Sequence, residues 1–274
     1  MDGRRWVGLL SACHPEPTIA VTAVVSAFAL AAGRGAGTLW VLAAILAGQL
    51  SVGWSNDVVD HRRDVAAGRT DKPVAAGLVP ARTVAVAAGV ALLAVIPLSF
   101  ASGWRAAPAH LVGVAAAWSY NLGMKATLLS PLPYAVAFGA LPAFVLLGLP
   151  DPQWPPWWMV AAGALLGLGA HFANVVPDIE DDIRQHVVGL PHRIGVRASV
   201  VTAGVLLLAA SVVLAVGPGA DPLGVAAIVV TAGLLAGAAL AGRQPASRWV
   251  FRAAMVIAVV DVALLIARGN TIAG

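Results

Sequence analysis

The sequence predicts an all-α, polytopic membrane protein with nine transmembrane helices, and three observations carry that expectation. Of 274 residues, 59% are hydrophobic and only 11% charged, with a mean hydropathy of +0.86, far above what a soluble domain of this length shows. Apolar runs of about 17 to 22 residues, enough to cross a bilayer, recur along the whole chain. The basic residues collect on alternate connections between those runs. None of the runs alternates strictly, so helices are expected and barrel strands are not.

The spans are bounded approximately by 16–33, 37–55, 83–102, 106–122, 130–149, 155–176, 198–217, 222–241 and 249–267, within one domain covering 1–274. The first starts among His14, Glu16 and two prolines and has the length of a signal peptide. No small-residue cleavage site followed by a soluble domain comes after it, so a retained helix is expected. The second and sixth spans run directly into acidic stretches. Before the sixth, the run from Trp154 to Trp158 reads as an interfacial aromatic belt. The ninth contains Asp261, to which no role is assigned. His110 and His171, within or near spans, are expected to make structural hydrogen bonds.

Charge placement orients the chain. With nine spans and a cytoplasmic amino terminus, fourteen basic residues (Arg4, Arg5, Arg62, Arg63, Arg69, Lys72, Arg82, Lys125, Arg184, Arg193, Arg197, Arg243, Arg248 and Arg252) face inward and three (Arg34, Arg105 and Arg268) outward, a bias that a shift of one span would scramble. The carboxyl terminus is then outside. The net charge of +4 is spread over inner loops beside anionic membrane lipid and calls for no nucleic-acid partner. A lone Cys13 excludes an internal disulfide and a thiolate metal cage.

The chemistry is concentrated in one pattern that occurs twice, 118 residues apart: Asn56, Asp60 and Asp64, then Asn174, Asp178 and Asp182. Spacings of four align each set on one helical face. Eight of the thirteen acidic residues lie in or just after these stretches, so their mutual repulsion requires a positive partner. Mg²⁺ takes a few carboxylates together with water and phosphate oxygens, which points to a Mg²⁺–diphosphate site at the membrane surface. The sequence places both stretches in the longest cytoplasmic loops, of about 27 and 21 residues, where function commonly resides.

Asn56-Asp57-x-x-Asp60-x-x-x-Asp64, continued by Arg69-Thr70-Asp71-Lys72-Pro73 and Gly77, resembles the first aspartate-rich motif of the UbiA-type membrane prenyltransferases. Asp178-Ile179-Glu180-Asp181-Asp182, running on to Arg193-Ile194-Gly195, is similar to that family's second motif, and Tyr120 to Lys125 to its short Tyr-to-Lys signature. The resemblance covers essentially the whole chain. It implies a UbiA-like bundle of nine helices around a central cavity, with a prenyl diphosphate donor held by Mg²⁺ and its isoprenyl group transferred to a lipophilic acceptor, typically aromatic and quinone-precursor-like. It also implies metal or diphosphate roles for Asn56, Asp60, Asp64, Asp178 and Asp182, with Asp57 and Asp181 in support. Lys125, Arg69 and Lys72 become the cationic diphosphate contacts, and Tyr120 and Asn174 further substrate-binding candidates.

Two departures widen the choice of acceptor. Tyr120 and Lys125 are five apart where four is commoner in the family, and His186-Val187-Val188-Gly189 replaces the Gly-Lys-x-Thr of several quinone-pathway members. Prenyl or phosphoribosyl transfer to other acceptors, including glycerol-phosphate lipids and tetrapyrroles, stays open. Asp57 reads equally well as a helix cap, and Arg62, Arg63, Arg243, Arg248 and Arg252 as topology anchors. His186 and His192 are plausible loop or acceptor-side residues. A transporter shares the apolar helices, but its acids belong near mid-membrane on broken helices, whereas these cluster with Arg and Lys at helix ends.

Overall fold

Runs of Ala, Val, Leu and Gly at this density leave the backbone no partner but itself in an apolar medium, and helix is the outcome. The computed structural model describes residues 3–241 and 249–267, and within them the chain is all-helical, with no strand. Twelve α-helices follow in order among these residues: α1 Gly3–Ala12, α2 Pro15–Ala31, α3 Thr38–Ala66, α4 Ala81–Ser102, α5 Ala107–Asn121, α6 Leu132–Gly139, α7 Leu141–Leu146, α8 Trp157–Val175, α9 Ile179–Arg184, α10 Leu190–Val216, α11 Pro222–Ala241 and α12 Trp249–Ala267. Six helical stretches are long and apolar enough to cross a membrane, and the shorter 15–31 and 132–146 are also apolar. The chain is therefore a multi-pass membrane protein. Arg243, Arg248 and Arg268 lie outside the described residues.

Four features depart from the expected spans. The first acidic stretch is not a loop: α3 continues through it to Ala66. At 1.5 Å per residue its 29 residues reach about 43 Å, well beyond a hydrocarbon core of about 30 Å, so its last turns carry the acids past the apolar layer. The fifth span is broken between α6 and α7, because Pro142 lacks an amide proton and its ring clashes with the carbonyl four residues back. The seventh begins at Leu190 rather than 198, and a kink at Gly195, φ +83°, reorients it. A helix was not expected before residue 16, yet α1 forms, burying Gly8, Leu9 and Ala12 while Trp6, Val7 and Leu10 remain exposed. The Trp54 indole donates to the Leu9 carbonyl at 2.9 Å and ties α1 to α3.

Close approach of backbones sets the bundle. A Cβ at Gly163 would stand 2.7 Å from the Phe138 carbonyl oxygen, and one at Gly167 would overlap Tyr134. This pair, four apart on α8, lets α6 lie against it without a side chain between, as small residues do in membrane bundles. Gly53 does the same for α3 where it passes beneath Cys13. Bulkier layers close the far end, where Phe144 on α7 is fully buried with Val41, Met159 and Leu214 around it.

Candidate active site

The helices surround a cavity of about 750 Å³ that is polar at one end and apolar along most of its wall. Asn56, Asp57, Asp60 and Asp64 border it from α3, Tyr120 and Asn121 from α5, and Asn174, Asp178 and Asp182 from the end of α8 and the turns beyond. Lys125, Arg69 and Lys72 border it from the connections. The two acidic sets, 118 residues apart, thus face one volume. Asp181 does not: it pairs with Arg184 on the outer side of α9 and lies outside the cavity lining, which departs from its expected place beside the metal.

Asp60 is the hub of the first set. It accepts from Lys125 at 2.5 Å, from the Asn56 amide at 3.2 Å and from Arg63 one turn on. Lys125 is only 9% exposed, and burial draws its ammonium below the usual lysine range against the opposing pull of Asp60. Asn121 fixes the geometry: its amide donates to Ser55 at 2.7 Å and to the Val52 carbonyl at 2.9 Å, while its oxygen accepts from Asn56 at 3.3 Å. Nothing in its spacing marked Asn121 beforehand, although a buried amide at the end of an apolar span is the kind of residue that must find partners.

A second arm of cations comes from the 67–80 connection. Lys72 reaches the buried Asp57 at 3.1 Å, and His14, left-handed at the start of α2 with φ 55°, approaches the same carboxylate at 3.4 Å. Arg69 forks onto Asp71 at 2.8 and 2.9 Å and lies 3.4 Å from Asp178, joining the 67–80 connection to the second acidic set across the cavity mouth. That fork holds the Asp71 carboxyl down at about 2 and raises the guanidinium further. On the opposite side His192 binds Asp182 at 3.0 Å. Its Nδ1 accepts from the Gly189 amide at 3.0 Å, so Nε2 carries the proton donated to Asp182. His192 is thereby a support of the second set, a role its sequence position left open.

His110 and His171 are buried within the bundle beside Ser99 at 2.7 Å and Ser130 at 3.2 Å, in keeping with structural hydrogen bonding. The Tyr120 ring meets Tyr134 and His171 edge-on, at 5.2 and 5.6 Å between centroids, and Asn174 donates to the Tyr134 hydroxyl at 3.4 Å. An aromatic collar therefore stands just below the acids.

Among the described residues, no three acidic, histidine or cysteine side chains converge enough to enclose an ion by themselves. Each bracing cation instead sits against an acid, and the inner oxygen of Asp57 has no hydrogen-bond partner. This donor set suits Mg²⁺, which takes one or two carboxylates from protein and completes its shell with water and phosphate oxygens. It suits a diphosphate equally, since Lys and Arg stand beside the acids.

A helical bundle with an apolar central cavity and acids and cations at one end is fitted to hold a lipophilic molecule with an anionic head. The chain belongs to the UbiA prenyltransferase family, which matches residues 19–271. It is 30% identical over 171 residues to the Bacteriochlorophyll synthase 33 kDa chain of Cereibacter sphaeroides, covering 57% of this chain and 55% of that one, so the match spans about half the relative's length. The fold is shared with a UbiA homolog from Aeropyrum pernix K1, at TM-score 0.71 and 19% identity over 92% of this chain and 98% of that one. It is also shared with a UbiA homolog from Archaeoglobus fulgidus bound to GPP and Mg²⁺, at TM-score 0.66 and 15% identity over 97% and 99%. The family match leaves the transporter reading without support.

Proposed function

We propose that the chain transfers an isoprenyl group from a Mg²⁺-bound prenyl diphosphate to a lipophilic, aromatic acceptor within the membrane. The observation that carries this reading is the meeting of both acidic sets and of Lys125, Arg69 and Lys72 at the polar end of one otherwise apolar cavity. Asn56, Asp57, Asp60, Asp64, Asp178 and Asp182 would hold the metal, which when bound neutralises charge on the departing diphosphate. Asp181, turned outward, is left out. Lys125, Arg69 and Lys72 bind and orient the diphosphate oxygens. Asn121 and His192 hold Asn56 and Asp182 in place. The apolar wall takes the prenyl tail and excludes water from the allylic carbon while the C–O bond breaks, and Tyr120 and Tyr134 border the same volume.

The chain acts as one domain. α1 lies at the interface, and nine crossings follow if α2, α5 and the broken α6–α7 pair are counted with the six long helices. The distribution of basic residues supports an inner acidic end and amino terminus and an outer carboxyl terminus. A second reading, a tetrapyrrole acceptor, is favoured by the partial match to a bacteriochlorophyll synthase chain. The test is the release of diphosphate from geranylgeranyl diphosphate by purified protein supplied with a lipid extract. The reading requires release that stops when Mg²⁺ is chelated and resumes when it is restored. Release indifferent to chelation would refute it.

A further inference from the structure

The apolar part of the cavity contains one ionisable group that the donor site does not use. On α12, Ala254, Ala258, Asp261 and Leu265 recur at helical spacing and all border the cavity, which puts Asp261 on the cavity face of the helix rather than its lipid face. It is 0% exposed, so a ligand in the cavity meets the carboxyl only when the side chain turns inward, and neither carboxyl oxygen has a hydrogen-bond partner among the described residues. Ser211 approaches from α10, but its hydroxyl is shared with Thr231 at 3.0 Å and the Leu207 carbonyl at 3.4 Å, short of a well-formed bond to Asp261. A carboxyl at membrane depth costs free energy that one hydroxyl already shared with other partners does not offset, so such a group points to a ligand that completes it.

Depth separates this group from the donor's charged end. Arg252, nine residues earlier, meets Glu16 at 3.5 Å beside the polar end of the cavity. At 1.5 Å per residue Asp261 lies about 13 Å deeper, out of reach of the diphosphate. A hydrocarbon tail offers a carboxyl nothing. Building on the transfer reading above, we propose that Asp261 is an acceptor-binding residue whose carboxyl hydrogen-bonds a hydroxyl or N–H group of the lipophilic acceptor, remote from the atom that is prenylated. The acceptor is accordingly a molecule with polar hydrogen at the end that enters the cavity, not a uniformly apolar one. A hydrocarbon or fully esterified lipid does not complete this site.

Two substitutions test it in native membranes, which supply the acceptor, using radiolabelled geranylgeranyl diphosphate. Donor affinity is measured in parallel on the purified proteins with Mg²⁺. Asp261→Asn keeps an accepting oxygen, whereas Asp261→Leu removes it and suits an apolar helix interface. The expected result is donor affinity within about twofold of wild type for both, labelled lipid product retained to roughly a fifth or better by Asn, and product lost on the order of thirtyfold in Leu. Full product yield from Asp261→Leu overturns the assignment. Parallel loss of donor binding and product in that variant also overturns it, because it marks a clamp between helices. A wild type that does not bind geranylgeranyl diphosphate with Mg²⁺ overturns the transfer reading and this assignment with it, which separates the two failures.

Discussion

Asp60 is at once a proposed metal ligand and the partner of a buried cation. It accepts from Lys125, whose ammonium is almost wholly enclosed. Asp60→Ala should therefore lose about 1–3 kcal/mol of stability along with activity, because a buried cation loses its partner. Asp60→Asn keeps the volume and a hydrogen-bond acceptor, so it should recover much of that stability but not the activity. Thermal unfolding in detergent beside an activity assay checks both halves. Lys125→Ala removes a charge-assisted contact worth about 1.5–3 kcal/mol and should weaken prenyl diphosphate binding roughly ten- to hundredfold. The affinity for the matching prenyl alcohol should hardly change, and calorimetry with both ligands reads the difference.

Elements were legible where hydropathy alone decides them and obscure where packing does. α4, α10, α11 and α12 stand within a few residues of their expected spans, apart from the extra turns that start α10 at Leu190. The acidic stretch of α3 carries loop-like polarity, but its spacing of four is helical, and the helix continues because Asn56 and Asp60 bond along one face. Breaks at Pro142 and Gly195 follow from local backbone chemistry. Among the site residues, the repeated carboxylates were visible from their spacing, whereas Asn121 meets Asn56 from 65 residues away and His192 meets Asp182 across an irregular turn, contacts that spacing cannot reveal. The Gly163 and Gly167 pair likewise becomes meaningful only with α6 against it. Gly167→Val should overpack that contact and cost about 1–3 kcal/mol. A lowered unfolding temperature checks this, and a loss of donor affinity should accompany it, because Tyr134 lies beneath the acids.

At the scale of the whole molecule, both ends of the chain's acidic repeat belong to one cavity mouth on one side of the membrane. Single cysteines at Ala67 and His186, both exposed, in a Cys13→Ser background should react with impermeant reagent only from the cytoplasmic side, and one at Trp154 only from outside. Labelling of 67 and 186 from opposite faces would break the topology. The central claim is that two acidic sets far apart in sequence act on a single diphosphate. The most direct measurement is the rate of diphosphate release by Asp178→Asn, with saturating Mg²⁺ and geranylgeranyl diphosphate and with the first set intact. The account predicts a rate at least about a hundredfold below wild type in a protein of unchanged unfolding temperature. A rate within about twofold of wild type would show that the first set works alone and would contradict it.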